Sequence, residues 1–400
     1  MEFGPIWRAA RRNKTGPVLI AVQIALTLAV VVNAVFIIQQ RIEKITRDNG
    51  MDVDNILSVN SAVIGQDFKA ELGVREDLRA LRTIPGVIAV SASQHVPLSG
   101  SGWGTEFAAS PESGAPRVNG VQYMMTTDAI QTLGVELVAG REFAEEDMVY
   151  AENFSDPQPS LIITQAYADE LFPDGDALGQ PLYDGLGRPS TIIGIVRRMH
   201  GAWVGWDKLS HVALLPRVMP SNSTHYLIRT EPGLVNQTLA QVEAALFGVN
   251  DQRVLQELRP MTETKDRSYQ GDRGMAVLLG VVTLLMVSVT GVGIIGLASF
   301  AVRQRFKQIG TRRAVGARRR DILRYFLLEN WMITTAGVVL GTLAALGINY
   351  WLMTAYDLER LDPLLLPVGI LVIWALGLLA VAGPARRAAG ISPAIATRTI

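Results

Sequence analysis

Four apolar runs, at residues 17–38, 275–302, 331–353 and 364–383, constrain the fold more than any other feature of this 400-residue chain. Each reaches or exceeds the ~20 residues a helix needs to cross a hydrocarbon core about 30 Å thick. They are read as four membrane helices. The first is not read as a cleaved leader. It is longer than an h-region of about 7–15 residues, and Gln39-Gln40-Arg41 stands where a small-residue cleavage site would follow.

The net charge is zero, but its distribution is lopsided. The short flanking segments hold 16 Lys/Arg: Arg8, Arg11, Arg12 and Lys14; nine between Arg303 and Arg324; and Arg386, Arg387 and Arg398. Glu2 and Asp321 are the acids set against them. Residues 39–273 instead carry 20 Lys/Arg and 31 Asp/Glu, a net of −11. The positive-inside rule then places tails 1–16 and 384–400 and the middle loop 303–330 in the cytoplasm. Residues 39–274 and the short loop 354–363 fall outside. Cysteine is absent, so disulfides, thiolate metal sites and cysteine catalysis are excluded, and the outer segment must fold on its core alone.

The outer segment alternates between the two periodicities. Strand patterns at 56–60 and 87–93 flank a helix pattern at 72–84, and strands at 225–230 and 253–258 flank a helix at 234–247. Two β-α-β units at opposite ends of a segment are the form of a ferredoxin-like split βαβ lobe, here about 50–115 and 221–261. Residues 116–220, with strands near 118–125, 161–164, 191–196 and 212–215, form an inserted, mainly-β lobe. The loop SGSGWG at 99–104 joins the two. Residues 39–49 and 262–274 are helix-compatible and read as stalks continuous with the first and second spans. The fold class is thus an α+β membrane protein with four spans and a two-lobed outer domain between spans one and two.

The basic stretch QIGTRRAVGARRRDILRYFLLEN, 308–330, lies between spans two and three. An arginine at mid-bilayer costs about 2.5–3.5 kcal/mol on insertion scales, so this stretch lies outside lipid. Two readings are open for Arg312, Arg313 and Arg318–Arg320: contacts to a cytoplasmic protein, or topology signals that bind anionic headgroups. The embedded Gly310, Gly316 and Ala317 favour contact, because small residues let a helix approach a groove. Asp321 either caps within the loop or meets a partner. Gly337, Gly341 and Ala345 form a small-xxx-small face for packing within the bundle or between copies. Gln23 and Thr27, one turn apart, are read as interhelical hydrogen-bond partners.

Enzyme chemistry finds little support. The four histidines form no H-E-x-x-H, Ser101 lacks a G-x-S-x-G elbow, and Glu145, Glu146 and Asp147 read as a solvated turn. Trp103, Trp203 and Trp206, in Gly-rich stretches, read either as a ligand surface or as core. An acidic outer domain excludes nucleic acid. No metal or cofactor is expected on this chain.

Four stretches in order now carry a resemblance: IGTRRAVGARRRDILRYFLLEN (309–330), GVELVAGREFAEED (134–147), ITQAYADELFPDGDALGQPL (163–182) and TIIGIVRRM (191–199). Over nearly its whole length the chain resembles the MacB/FtsX-like permeases, four-span membrane subunits of mechanotransmitting ABC transporters. The resemblance implies a cytoplasmic ABC ATPase dimer that binds ATP and Mg, seated on a coupling helix at 310–323. It implies a second permease, identical or a paralogue, surrounding membrane lipid, and residence in a bacterial inner membrane with the large domain periplasmic. A periplasmic adaptor and an outer-membrane channel, with export of peptides, drugs or lipids, are the leading expectation. A relay to a cell-wall hydrolase and lipoprotein extraction are the alternatives. Gln308 departs from the family, which commonly has Glu there. No G-x-x-x-x-G-K-[ST] occurs in these residues, so ATP hydrolysis is expected on a separate subunit.

Overall fold

The computed structural model describes residues 15–64, 69–112, 114–153, 156–219, 221–356 and 360–390. Arg8, Arg11, Arg12, Lys14, Asp357, Glu359 and Arg398 lie outside the described residues. Helix α1 (Thr15–Thr46) begins the description. Two units divide the chain: Thr46–Gly271, and the remaining residues, Met1–Ile45 with Asp272–Ile400.

Thr46–Gly271 is built on one continuous sheet. Its elements are β1 (Ile56–Val63), α2 (Ala70–Arg82), β2 (Val87–Ser93), β3 (Trp103–Ala108), β4 (Arg117–Met125), α3 (Ala129–Leu133), β5 (Leu137–Gly140), β6 (Val149–Tyr150), β7 (Ser160–Thr164), α4 (Gln165–Leu171), β8 (Pro181–Tyr183), β9 (Pro189–Val196), β10 (Val212–Val218), β11 (Ser223–Thr230), α5 (Val235–Val249), β12 (Arg253–Pro260) and α6 (Met261–Ser268). The strand order is β12-β1-β11-β2-β4-β3-β8-β9-β7-β10-β6. Strands β12, β1, β11 and β2 are antiparallel neighbours. A single pair, Ser93↔Met125, carries the sheet from β2 to β4.

Helix α2 shows why this half folds. Val74, Leu78 and Leu81 fall at i, i+4 and i+7 and are buried, while Arg75, Glu76, Arg79 and Arg82 take the opposite face. Burying each aliphatic side chain contributes about 1.5–3 kcal/mol. The chain turns out of α2 at Pro85-Gly86, where Gly86 has φ +84 and a side chain would be strained. Leu57, Val59 and Ile228 of the sheet meet Val74 and Leu81 of α2 and Val242 and Leu246 of α5 in one core. A second core under α4 gathers Phe107, Leu161, Ile163, Tyr167 and Ile192. A third joins Ile56, Tyr123, Leu133, Phe143 and Leu214.

Three details differ from the sequence reading. Strand β3 starts at Trp103, inside the Gly/Ser stretch read as a loop. It pairs with β4 as a hairpin, from Trp103↔Gln122 to Ala108↔Arg117, and Gly102 and Gly104 break the strand pattern that would have shown it. The stretch 262–274 is not one helix: α6 stops at Ser268, and Tyr269 is buried, with its N–H on the carbonyl of Lys265. The acidic turn is not uniformly solvated, because Asp147 is buried and salt-bridged.

The other unit contains α1, α7 (Gln270–Gln304), α8 (Phe306–Ala314), α9 (Arg319–Tyr356) and α10 (Leu365–Ala389). Helices α1, α7, α9 and α10 are long and apolar enough to cross a membrane. Half of the most apolar window of α1 is buried by its neighbours, against 17–28% for the other three, so α1 is the core of the bundle. The remaining helices turn large apolar side chains outward, such as Val277, Leu284, Val292 and Leu379. In water this would be a liability, and in lipid it is the solvated face.

Candidate coupling site and the packing behind it

The basic stretch is two helices and a turn, where one short helix was expected. Helix α8 ends because Gly316 takes φ +108, which a side chain would strain. The last carbonyls are used locally: Val315 N–H donates to Thr311 O at 3.0 Å, Gly316 N–H to Arg313 O at 3.2 Å, and Ala317 N–H to Arg312 O at 3.0 Å. Helix α9 then starts on a reciprocal cap. The Asp321 carboxylate accepts the Arg318 N–H at 2.8 Å, and Arg318 O accepts the Asp321 N–H at 3.0 Å. This is half of a capping box, with a negative charge in the first turn.

Three contacts brace the turn. Arg305 meets Glu329 with both nitrogens, at 2.7 and 2.9 Å, and Glu329 is buried. Arg313 donates to the carbonyl of Ala389, at the C-terminal end of α10, at 3.1 Å. The Arg312 guanidinium lies 5.2 Å from the centre of the Tyr325 ring. Ile309 and Gly310 are buried on the inner side of α8.

The predicted residues therefore divide. Gly310 faces inward, Arg313 holds α10, Asp321 caps α9, and Ala317 is half-buried. Gly316 makes the turn between α8 and α9. Arg312 and Arg318 remain exposed, together with Arg319 and Arg320. Among the described residues the side chains of Arg318, Arg319 and Arg320 have no ion-pair partner. Sequence reasoning missed Val315, which is 85% exposed at the tip of the turn. Its signal was an aliphatic residue inside an otherwise polar stretch. An exposed apolar side chain is thus flanked in sequence by the exposed Arg312 and Arg318–Arg320.

The small-residue face packs within the chain. A side chain on Gly337 would come 2.8 Å from Ala21 O and Ile24 Cγ2, and one on Gly341 2.9 Å from Ala25 O. Ala345 is fully buried, and its carbonyl accepts from Asn33 Nδ2 at 3.1 Å. Helix α9 thus lies against α1. Gln23 Nε2 donates to Val289 O at 3.1 Å, and the hydroxyls of Thr27 and Thr290 share a hydrogen at 2.6 Å, so α1 is also tied to α7.

In Thr46–Gly271 the stretch GREFAEED is a structural staple. Gly140, at φ +81, sits where a side chain would strike Ile193 O. Arg141 pairs with Asp147 at 2.9 Å and holds that carboxyl below its usual range. Glu142 caps α3 through the N–H of Ile130 at 2.7 Å, and Phe143 is buried. Ser101 Oγ lies 3.3 Å from His95 Nδ1, a proximity the sequence hid. His95 Nε2 has no partner among the described residues, so the imidazole lacks the orienting acid of a hydrolytic triad. Trp203 and Trp206 stack edge to face at 5.6 Å, half-buried against the core, whereas Trp103 is 41% exposed. Among the described residues no three His, Asp or Glu side chains are grouped as a metal site requires.

Comparison with known proteins fits this division. Residues 18–249 match the family model of the MacB-like periplasmic core domain, and residues 280–393 that of the FtsX-like permease C-terminal region. The chain is 28% identical to the uncharacterized ABC transporter permease YvrN of Bacillus subtilis, over 71% of this chain and 70% of that one. It is 29% identical to the macrolide export ATP-binding/permease protein MacB of Agrobacterium fabrum, over 56% of this chain and 34% of that one. It spans about a third of the length of such fused ATP-binding/permease relatives. Among solved structures, the periplasmic region of MacB from Actinobacillus actinomycetemcomitans aligns with 54% of this chain and 94% of that one, at 13% identity and a TM-score of 0.31.

Proposed function

We propose, for a chain that belongs to the ABC transporter permeases of the MacB/FtsX type, that it passes motion from a separate cytoplasmic ATPase to its large outer domain. The tip at 315–320 would be the point where force enters. The observation that carries this reading is the exposure of Val315 on a turn braced by Arg305–Glu329, Arg313–Ala389 O and the Asp321 cap. A tip so mounted transmits a push into α9 rather than absorbing it.

Several finer readings belong to this proposal. ATP and Mg would sit on the partner, two permeases and two ATPases would form the acting unit, and both termini and the tip would be cytoplasmic in an inner membrane. Thr46–Gly271 would act as two lobes, a porter-like lobe (about 50–115 and 221–261) and an inserted lobe (about 116–220). The core under α2 and α5, the core under α4 and the single Ser93↔Met125 pair support that division, while the core of Ile56, Tyr123 and Leu214 spans the two lobes. Peptides, drugs or lipids handed through an adaptor and an outer-membrane channel are the cargo and route in view. Likeness to the macrolide export protein MacB supports export.

The test is to purify the full chain in lipid nanodiscs with the ATPase that accompanies it and to measure ATP turnover. Val315→Asp should abolish stimulation by the permease while leaving the ATPase's own rate intact. Retention of full stimulation would sink the assignment.

A further inference from the structure

A recess of about 320 Å³ opens between α2 and residues 145–150 of the outer domain. Three arginines line it. Arg75, Arg79 and Arg82 fall at i, i+4 and i+7 of α2, so one helix face carries all three. Val74, Leu78 and Met148 supply an apolar lining. The surrounding domain has a net charge of −11, and this recess is a local exception to it.

The arginines are unequally committed. Arg82 is paired with Asp128 at 2.7 Å. Arg75 lies 3.3 Å from Glu71, donates from Nε to the Tyr150 hydroxyl at 3.0 Å, and stands 4.7 Å from the centre of that ring. Arg79 has no hydrogen-bond or ion-pair partner among the described residues. Glu145 also lines the recess and forms no ion pair with any of the three among the described residues. The Tyr150 hydroxyl accepts from Arg75, which leaves its own proton free to be donated inward.

We propose that this recess is a binding site for a small amphipathic oxyanion, a phosphate or carboxylate carried on an apolar body. The Arg79 fork takes two oxygens of the anion, as planar guanidinium does with either group. Tyr150, oriented by Arg75, donates to a third position. The apolar body lies against Leu78 and Met148. A bare inorganic anion would leave that lining in water, and a neutral aromatic would leave Arg79 unused, so both should bind worse than the combination.

Phenyl phosphate, inorganic phosphate and phenol are the probes, titrated calorimetrically into the full chain in nanodiscs of zwitterionic lipid. Phenyl phosphate should bind saturably at one site per chain, inorganic phosphate several-fold more weakly, and phenol not measurably. Arg79→Gln, an exposed substitution that removes no hydrogen bond or ion pair among the described residues, should weaken phenyl phosphate by about tenfold or more. Met148→Gln should weaken phenyl phosphate and spare inorganic phosphate. Arg197→Gln, elsewhere on the surface, is the control and should change nothing. Binding of phenyl phosphate unaltered by Arg79→Gln, or no saturable binding of either phosphate, overturns the site. Equal affinity for phenyl and inorganic phosphate overturns the amphipathic ligand.

Discussion

Asp77→Ala should destabilise the outer domain more than most single changes in this chain. Asp77 and Arg253 are each about 1% exposed and lie 176 residues apart in sequence. The carboxylate accepts from Arg253 Nη1 and Nη2, both at 2.8 Å, and from the Tyr226 hydroxyl at 2.7 Å. Burial, and then the Asp77 charge, push the Tyr226 proton affinity well up, so that hydroxyl stays a donor at any ordinary pH. Arg253 is further held by Ser61 Oγ at 3.0 Å and Asn250 O at 2.8 Å. The network therefore pins α2, β1, β11 and β12 together. Removing the carboxylate leaves a guanidinium in the core with no counter-charge, which costs about 3–5 kcal/mol. With a urea dependence of about 1–3 kcal/mol per molar, the midpoint should fall by about 1–5 M. Pulse proteolysis of the full chain in urea, following the 46–271 fragment, reads this shift. Adding Arg253→Met to Asp77→Ala should restore much of the loss, because the orphaned charge goes with it. A shift under about 0.3 M for the single variant, or a double variant no more stable than the single, would refute the reasoning.

Other outcomes follow from the same structure. His200 is buried, and that burial, reinforced by Arg47 and Arg198, lowers its pKa from 6.5 to about 4. A depressed native pKa means its contribution is complete above pH 6.5 and is lost as pH falls through about 4. The loss is about 3 kcal/mol, and His200→Leu should flatten the urea midpoint over that window. The Asp147 carboxyl, held low by Arg141, adds stability present above the ordinary carboxylate range and lost as pH falls below it, so Arg141→Gln should raise the pH of acid unfolding. Gly337→Val should lower the thermal midpoint of the full chain in nanodiscs, since its side chain meets Ala21 O and Ile24. That overpacking costs about 1–3 kcal/mol, whereas Gly296→Val, in open space, should not.

The sequence made some of this structure legible because the signals were local. The four spans are readable because lipid demands an unbroken apolar run. The two β-α-β units are readable because strand and helix periods differ within a dozen residues. Strand ends at 56, 87, 212 and 253 follow the pattern they were read from. What stayed hidden is long-range. Glu329 was not set against the basic loop, yet it closes on Arg305, 24 residues away, where the end of α7 meets α9. Arg313 was open as a partner contact or a topology signal, and its bond to the end of α10 was not legible in either reading. Gly316 looked like a close-approach residue in a helix. Its φ shows that it makes the turn, so Gly316→Trp would confound strain with loss of contact. Val315, one residue earlier, carries no such strain and is the cleaner probe.

The measurement that tests the coupling claim most directly uses the absence of native cysteine. Val315→Cys creates a single thiol at the tip, and a short thiol-to-amine crosslinker is applied to membranes of the native host. A crosslinked product containing a P-loop ATPase, absent from a control with the thiol at Leu284 on the outward face of α7, is the predicted result. Capture of no ATPase from position 315, with the variant still folded and functional, would contradict the account.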